Sequence, residues 1–431
     1  MMQSEYKPDF PLPKMFPLEQ VFPGRDTDFE YVTAVQKALE PLRFRVKPGM
    51  RVGLAVGSRG ITGLDCMVST AVEVLQSMDA RVVILPAMGS HGGASSEGQT
   101  ALLAGYGVGR EQQGVPVEAS METIQAGQTE WGTPIYWSRA ASELDGVLIL
   151  NRIKPHTDFK GNLGSGILKM LVVGLGKRDG ASAFHRASIQ HGYENVLRTY
   201  AESLLLKMPI LGGLAVVENA LHQTDSIRFL PSESLVKEEE KLFQTARDLM
   251  PRLPFDDLDL LIVDSIGKNI SGSGMDPNII GRGVHGYSTD FSQQNDFPRI
   301  KRIMVRDLTP ESHGNAIGIG MADYTTSRLV RAMDPRTSFV NAVTAMTMNG
   351  AKVPIYFESD REVIQWALSS VLVADKKESR ILRIRDTLNL NWMEASESLL
   401  REARSHDQVR ILGDPEEMAF DAQGKLPALM H

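Results

Sequence analysis

Between Asn151 and His191 the sequence gathers side chains that can do chemistry. Three of the chain's nine histidines (His156, His185, His191) lie there, with lysines at 154, 160, 169 and 177 and six glycines between Gly161 and Gly180. Imidazole can act as acid, base or metal ligand near neutral pH, and glycine lets backbone come close to a ligand. Two other short segments offer similar groups. His91 sits in Gly89-Ser-His-Gly-Gly93 with little to pack against locally, and Arg59 sits in Gly57-Ser-Arg-Gly60. His156 follows Pro155, which stiffens its approach. Against each stands a plainer alternative, a loop histidine bonded to backbone, and His222, His285, His313, His406 and His431 are best read that way. Gly174-Leu-Gly-Lys-Arg-Asp-Gly180 has GxGxxxG spacing in place of the dinucleotide GxGxxG. It is a weak Rossmann signal, although Lys177 and Arg178 beside a helix start could hold one phosphate.

The elements that must position these groups follow from periodicity. Arg51–Val56, Arg81–Leu85 and Gly146–Leu150 are β-branched apolar runs of strand length, each leading into one of the candidate loops. Helices are expected over 63–78 and 96–106 between them, and over 193–207 beyond. Alternating strand and helix predicts an α/β fold built on parallel sheets, with loops at the strand ends facing one crevice. Residues 1–48 should drape over this first domain. A charged helix over 232–249 contains Lys237-Glu-Glu-Glu-Lys241, expected to be a solvated face. Pro251 and Pro254 then break the chain. Two domains are therefore expected, 1–250 and 251–431, both α/β with mostly parallel sheets and an active-site cleft between them. In the second, a strand near Leu258–Asp264 leads into a glycine-rich loop, Ile266 to Asn278. There Lys268 could grip a carboxylate, and Ser271, Ser273, Asp276 and Asn278 could bond hydroxyls or cap their own turns. Helices are expected over 324–333, 337–348, 360–373 and 393–404.

Composition narrows the class. A net charge of −7 argues against sequence-independent nucleic-acid binding. No run of eighteen apolar residues predicts a membrane span, and the N-terminus lacks a signal peptide's apolar core. A single cysteine, Cys66, excludes an internal disulfide and a multi-thiolate zinc site. A cytoplasmic protein is the simplest expectation. Walker, HExxH and Gly-x-Ser-x-Gly motifs are missing from the sequence.

Taken together these segments resemble the nickel-dependent lactate racemases and their homologues, most closely over about 50–190. Ser58-Arg59 is similar to the family's Thr-Arg turn, Gly89-Ser-His91 to its Gly-Thr-His, and Pro155-His156 to its Pro-His. Ser165-Gly166 with Lys169 resembles its Ser-Gly-Gly-x-Lys, and His185 falls at the family's spacing after that lysine. Val56 stands where the family has an acidic residue, and Gly60 where it has proline. The resemblance implies that Lys169, with Ser165 and Gly166, holds a nickel-pincer nucleotide, pyridinium-3,5-bisthiocarboxylic acid mononucleotide nickel. It implies that His185 ligates the nickel, that Arg59 meets a carboxylate or phosphate, and that His91 and His156 exchange the hydroxyl proton. The chemistry implied is racemisation or epimerisation of a 2-hydroxy acid, a sugar acid among the candidates. Abstracting a hydride leaves a stable ketone, whereas removing the α-proton fights a very weak carbon acid. Imidazole, with its ordinary pKa of about 6.5, suits the proton exchange. Two alternatives stay open: a metal-independent two-histidine isomerase or lyase acting on a hydroxy acid, and a non-catalytic cofactor-binding protein.

Overall fold

The apolar runs become strands because each can bury both of its faces. The computed structural model describes residues 7–24, 28–157, 161–283 and 298–429. An opening strand, β1 (Met15–Gln20), precedes the N-terminal unit of residues 23–250. That unit runs through β2 (Arg51–Val56), the helix Leu64–Ser77, β3 (Arg81–Pro86) and the helix Ser96–Gly105. A hairpin of β4 (Thr123–Gln128) and β5 (Pro134–Ser138) follows, then β6 (Gly146–Arg152). The helices Lys177–His191 and Tyr193–Lys207 lead to β7 (Ile210–Glu218), β8 (Thr224–Pro231) and the helix Leu235–Asp248. The main sheet has the order β3-β2-β6-β7-β8, parallel except for β8. Its side chains alternate with period two. Ala55, Leu85 and Ile149 pack on one face with Phe184, Leu197 and Tyr200, while Leu54, Ile84 and Leu148 pack on the other with Met67, Val68 and Leu75. A parallel sheet covered on both faces in this way accounts for the near-continuous apolar strands of the sequence.

The second unit holds β9 (Asp257–Ile266), β10 (Arg299–Leu308), β11 (Tyr324–Thr326), β12 (Ile355–Phe357), β13 (Ile381–Ile384), β14 (Trp392–Ser396) and β15 (Val409–Ile411). Its sheet order is β12-β11-β10-β9-β13-β14-β1-β15. The five strands from β12 to β13 are parallel and the remaining pairs antiparallel. The chain is thus an α/β protein with mostly parallel sheets.

Three expectations are corrected here. Residues 15–20 are not part of the N-terminal unit: β1 pairs with β14 and β15 in the sheet of the second unit, and the N-terminal unit begins at Pro23. The start of the helix expected over 324–333 is β11, whose Tyr-Thr-Thr is seated between β10 and β12; the helix is Ser327–Ala332. Most of the first half of the helix expected over 393–404 is β14, drawn into the sheet between β13 and β1, and only Leu400–Ser405 remains α-helical. In each case a distant strand partner outweighs local propensity.

Phe16 in β1 has no exposed surface. Phe16→Ala is expected to lower stability by about 3–5 kcal/mol, read from denaturant unfolding. Amide exchange should accelerate in β14 and β15 and stay unchanged in β2, β3 and β6.

Candidate functional site

Because β3, β2 and β6 are adjacent and parallel, the loops leaving their carboxyl ends emerge along one edge of the sheet, the edge at which parallel α/β sheets bind ligands. Ser58 and Arg59 follow β2, His91 follows β3, and Lys154, Pro155 and His156 follow β6. Arg59 and His91 are exposed, whereas His156 is buried.

Two networks hold these groups. In the first, the Ser58 hydroxyl makes a short contact with His91 Nδ1, and the Tyr106 hydroxyl donates to the Ser58 carbonyl at 3.0 Å. The amide of the fully buried Gln99 donates to the carbonyls of Gly89 (3.0 Å) and His91 (3.3 Å). Gln99 Oε1 accepts in turn from Lys177 Nζ at 3.4 Å, and Nζ also donates to the Pro86 carbonyl at 2.8 Å. Lys177 is 1% exposed, and burial pushes its ammonium down to about 8. The phosphate-holding role considered for this lysine is therefore corrected. Its amine turns inward and fixes the loop that carries His91.

The second network pins residues 161–168, an irregular run that enters the short helix Ile167–Lys169. Buried backbone groups outside regular structure need partners, and each comes from elsewhere in the unit. Glu194 accepts from the Asn162 amide at 2.9 Å, and the Tyr193 hydroxyl donates to the Gly164 carbonyl at 2.9 Å. Lys154 and Ser165 exchange two backbone bonds of 2.8 Å. Asn151 Nδ2 donates to the Gly166 carbonyl at 3.1 Å, and the Leu168 amide donates to Glu239 at 2.9 Å. Lys169 Nζ lies 3.3 Å from Ser165 Oγ. Beyond Lys169 the helix widens into a π-turn over Met170–Gly174, closed by the Leu175 amide on the Met170 carbonyl at 2.8 Å; such turns concentrate at functional sites. The Gly89 amide donates to the Gly174 carbonyl at 3.0 Å, tying the two networks together. A Cβ on Gly174 would lie 2.6 Å from the Ala87 carbonyl, so only glycine allows this approach.

An aromatic chain links two of the candidate histidines. The His156 ring centroid is 4.8 Å from that of Tyr193, Tyr193 is 5.4 Å from Phe184, and Phe184 is 5.8 Å from His185. His185 itself is exposed. His191 stacks on Trp131 at 4.5 Å. His222, His313 and His406 occupy turns, and His406 Nδ1 accepts from the Gln408 amide. Lys160, His285 and His431 lie outside the described residues.

Lys268 belongs to the other unit, where its Nζ donates to the Gly272 carbonyl at 2.7 Å. Ser271 and Ser273 bond each other at 3.1 Å, Ser273 Oγ donates to the Met275 carbonyl, and Asp276 caps its own turn through the Asn278 amide. These side chains serve their own loop, so its polar composition carries no argument for a polyhydroxylated substrate.

Sequence reasoning missed Tyr193, Gln99 and, most of all, Glu239. The Lys237–Lys241 cluster is not wholly a solvated face, because Glu239 is fully buried within it. The signal was its position. On the helix Leu235–Asp248, Glu239 follows Leu235 by four and precedes Leu242 and Phe243 by three and four, which places it on the apolar stripe. Burial pushes its carboxyl up to about 8, against the pull of the Leu168 and Ile167 amides.

Among the described residues no group of three or more His, Cys, Asp or Glu side chains is placed to hold a metal, and no helix is long and apolar enough to cross a membrane.

The site thus defines an α/β unit that presents histidines, an arginine and a lysine along the carboxyl edge of a parallel sheet. Residues 24–196 match the family model for the lactate racemase N-terminal domain. The match takes in the loops after β2, β3 and β6 and most of the helix pair that follows them. Among solved structures it is similar to the lactate racemase apoprotein from Thermoanaerobacterium thermosaccharolyticum, at 13% identity and a TM-score of 0.49, covering 87% of this chain and 89% of that one. No functionally curated protein matches the chain.

The buried carboxyl generates a pH prediction. In the unfolded chain Glu239 ionises near its ordinary 4.5, but in the folded protein only near 8. Between these values the folded state binds the extra proton, so stability falls as pH rises. Glu239→Gln should remove that slope, about 1.4 kcal/mol per pH unit within the window, in urea unfolding across the range. Parallel curves for parent and variant would show that the carboxyl ionises normally.

Proposed function

We propose that the chain is a racemase or epimerase of 2-hydroxy acids that uses a nickel-pincer nucleotide as hydride acceptor. The observation that carries this reading is the lactate racemase N-terminal domain over 24–196, which contains every candidate group except Lys268. The donor set fits the cofactor. Lys169 brings an amine held beside Ser165 on a pinned turn, and His185 brings an exposed imidazole on a helix of the same unit. With no larger cluster of ligating side chains among the described residues, a metal would rest on this one imidazole and the cofactor's own donors. When bound, the cofactor would supply an acceptor for the hydride at C2 of the hydroxy acid.

The remaining work falls to the chain. Lys169, with Ser165 and Gly166, would anchor the nucleotide, and His185 would ligate the nickel. His91 and His156 take and return the hydroxyl proton for the two enantiomers, which is general acid–base work. Their settings differ usefully: His91 is exposed and steadied by Ser58, while His156 is buried against Tyr193. Arg59, exposed after β2, meets a carboxylate or phosphate.

The test is protein made together with the cofactor pathway, assayed for nickel and for turnover on a panel of 2-hydroxy acids. His91→Ala and His156→Ala should each lower turnover about 10²–10⁴-fold with nickel retained. His185→Ala should lose nickel with the fold intact. Unchanged turnover after both loop histidines are removed would overturn the assignment of acid and base, and no turnover by nickel-loaded parent on any hydroxy acid would overturn the function.

A further inference from the structure

Glu239 has no role in the chemistry above, yet it is the most anomalous group near it. Its carboxyl is fully buried, one oxygen accepts the Leu168 amide at 2.9 Å, and the other oxygen, Oε1, has no hydrogen-bond partner. Leaving a buried polar atom unpaired is costly. The rest of its helix stripe, Leu235, Leu242, Phe243 and Ala246, is apolar, so packing alone would favour a leucine here. The opposing residue is shaped to it: a Cβ at Gly166 would run into Oε1. The backbone at Gly166 is extended, with φ −152°, so this glycine answers a need for space and not for conformation. From the other side Asn151 holds the Gly166 carbonyl. The peptide from Ser165 to Leu168 is therefore clamped between a strand end and a buried acid, and Lys169 is the next residue.

We propose that Glu239 is a positioning residue that fixes the turn presenting the Lys169 amine, acting through the Leu168 amide. The proposal rests on Lys169 being the cofactor anchor. Helix formation over Ile167–Gly174 leaves its first amides without helical partners, and the carboxyl takes one of them. The chain direction at Leu168, and with it the departure of the Lys169 side chain, is then set by the helix Leu235–Asp248 and not by the loop's own flexibility.

The full-length protein tests this by two readouts that need no cofactor: hydrogen exchange at the Leu168 amide, and acetylation of Lys169 by N-hydroxysuccinimidyl acetate, quantified against surface lysines by mass spectrometry. Glu239→Leu, folded by circular dichroism, should accelerate Leu168 exchange about tenfold, the scale of one lost hydrogen bond, and shift Lys169 acetylation by a similar factor. Glu239→Gln keeps an acceptor oxygen and should remain within about twofold of the parent in both. Gly166→Ala approaches from the other side: it displaces the carboxyl with Glu239 still present and should reproduce both changes, which covers the case of a Glu239→Leu variant that does not fold. Parent-like exchange and acetylation in folded Glu239→Leu or in Gly166→Ala would overturn the proposal. Turnover separates the two claims. Both changes present with an inactive nickel-loaded parent leaves the positioning role standing and removes the racemase reading; an active parent with neither change removes the positioning role alone.

Discussion

The site depends on one constraint: a partly buried segment, 161–168, irregular until the short helix Ile167–Lys169 begins, must have its backbone groups satisfied largely by residues that do not belong to it. Apart from the Lys154–Ser165 bridge and the Met170 amide on the Gly166 carbonyl, no helix or ladder supplies these partners. They come from the end of β6 through Asn151 and Lys154, from the helix Tyr193–Lys207 through Tyr193 and Glu194, and from the helix Leu235–Asp248 through Glu239. Three elements hold this loop at these points, and a departure from the observed conformation would strand buried donors or acceptors. The order of Lys169 is thus a property of the packed unit, not of the glycine-rich sequence around it, which taken alone would be among the most permissive in the chain.

That order is obtained against local preference. A carboxyl on an apolar helix face and an ammonium, Lys177, with almost no exposure both oppose packing. Lys177 also has φ 54°, in the left-handed region that side chains other than glycine rarely adopt. Departures from local rules of this kind concentrate at functional sites. Here both lie within one unit, and both end on loops that carry candidate chemistry.

The same contrast explains what could be read from the sequence. β2, β3 and β6 were legible because a strand buried on both faces must be a short apolar run, whatever its neighbours. The loops after them were legible because glycine and histidine have few reasons to cluster. β1 was not, since its partners β14 and β15 come from the far end of the chain and its Met-Phe-Pro-Leu-Glu-Gln carries no turn or periodic signal. Glu239 was legible in principle from its spacing to Leu235, Leu242 and Phe243, but the charges on either side gave a solvated run as the simpler explanation. The inward turn of Lys177 depends on a single backbone dihedral and on Gln99, seventy-eight positions away, and no local pattern encodes either.

One helix, Lys177–His191, connects these particulars. Its first residue holds Gln99 and, through Gln99, the backbone of His91. Midway along it Phe184 packs on Tyr193, against which His156 lies, and the next residue is His185. The two proposed proton-transfer groups are therefore referred to the same rigid element that carries the proposed nickel ligand, although they come from loops after different strands. Catalytic constellations tolerate little displacement, and a site built on a helix is held more accurately than one built on loops. A shift of any single loop is resisted by hydrogen bonds to the helix and its neighbours. The exposed His91 and the buried His156 differ locally, yet the backbone of one and the ring of the other are both tied to residues that pack on this helix.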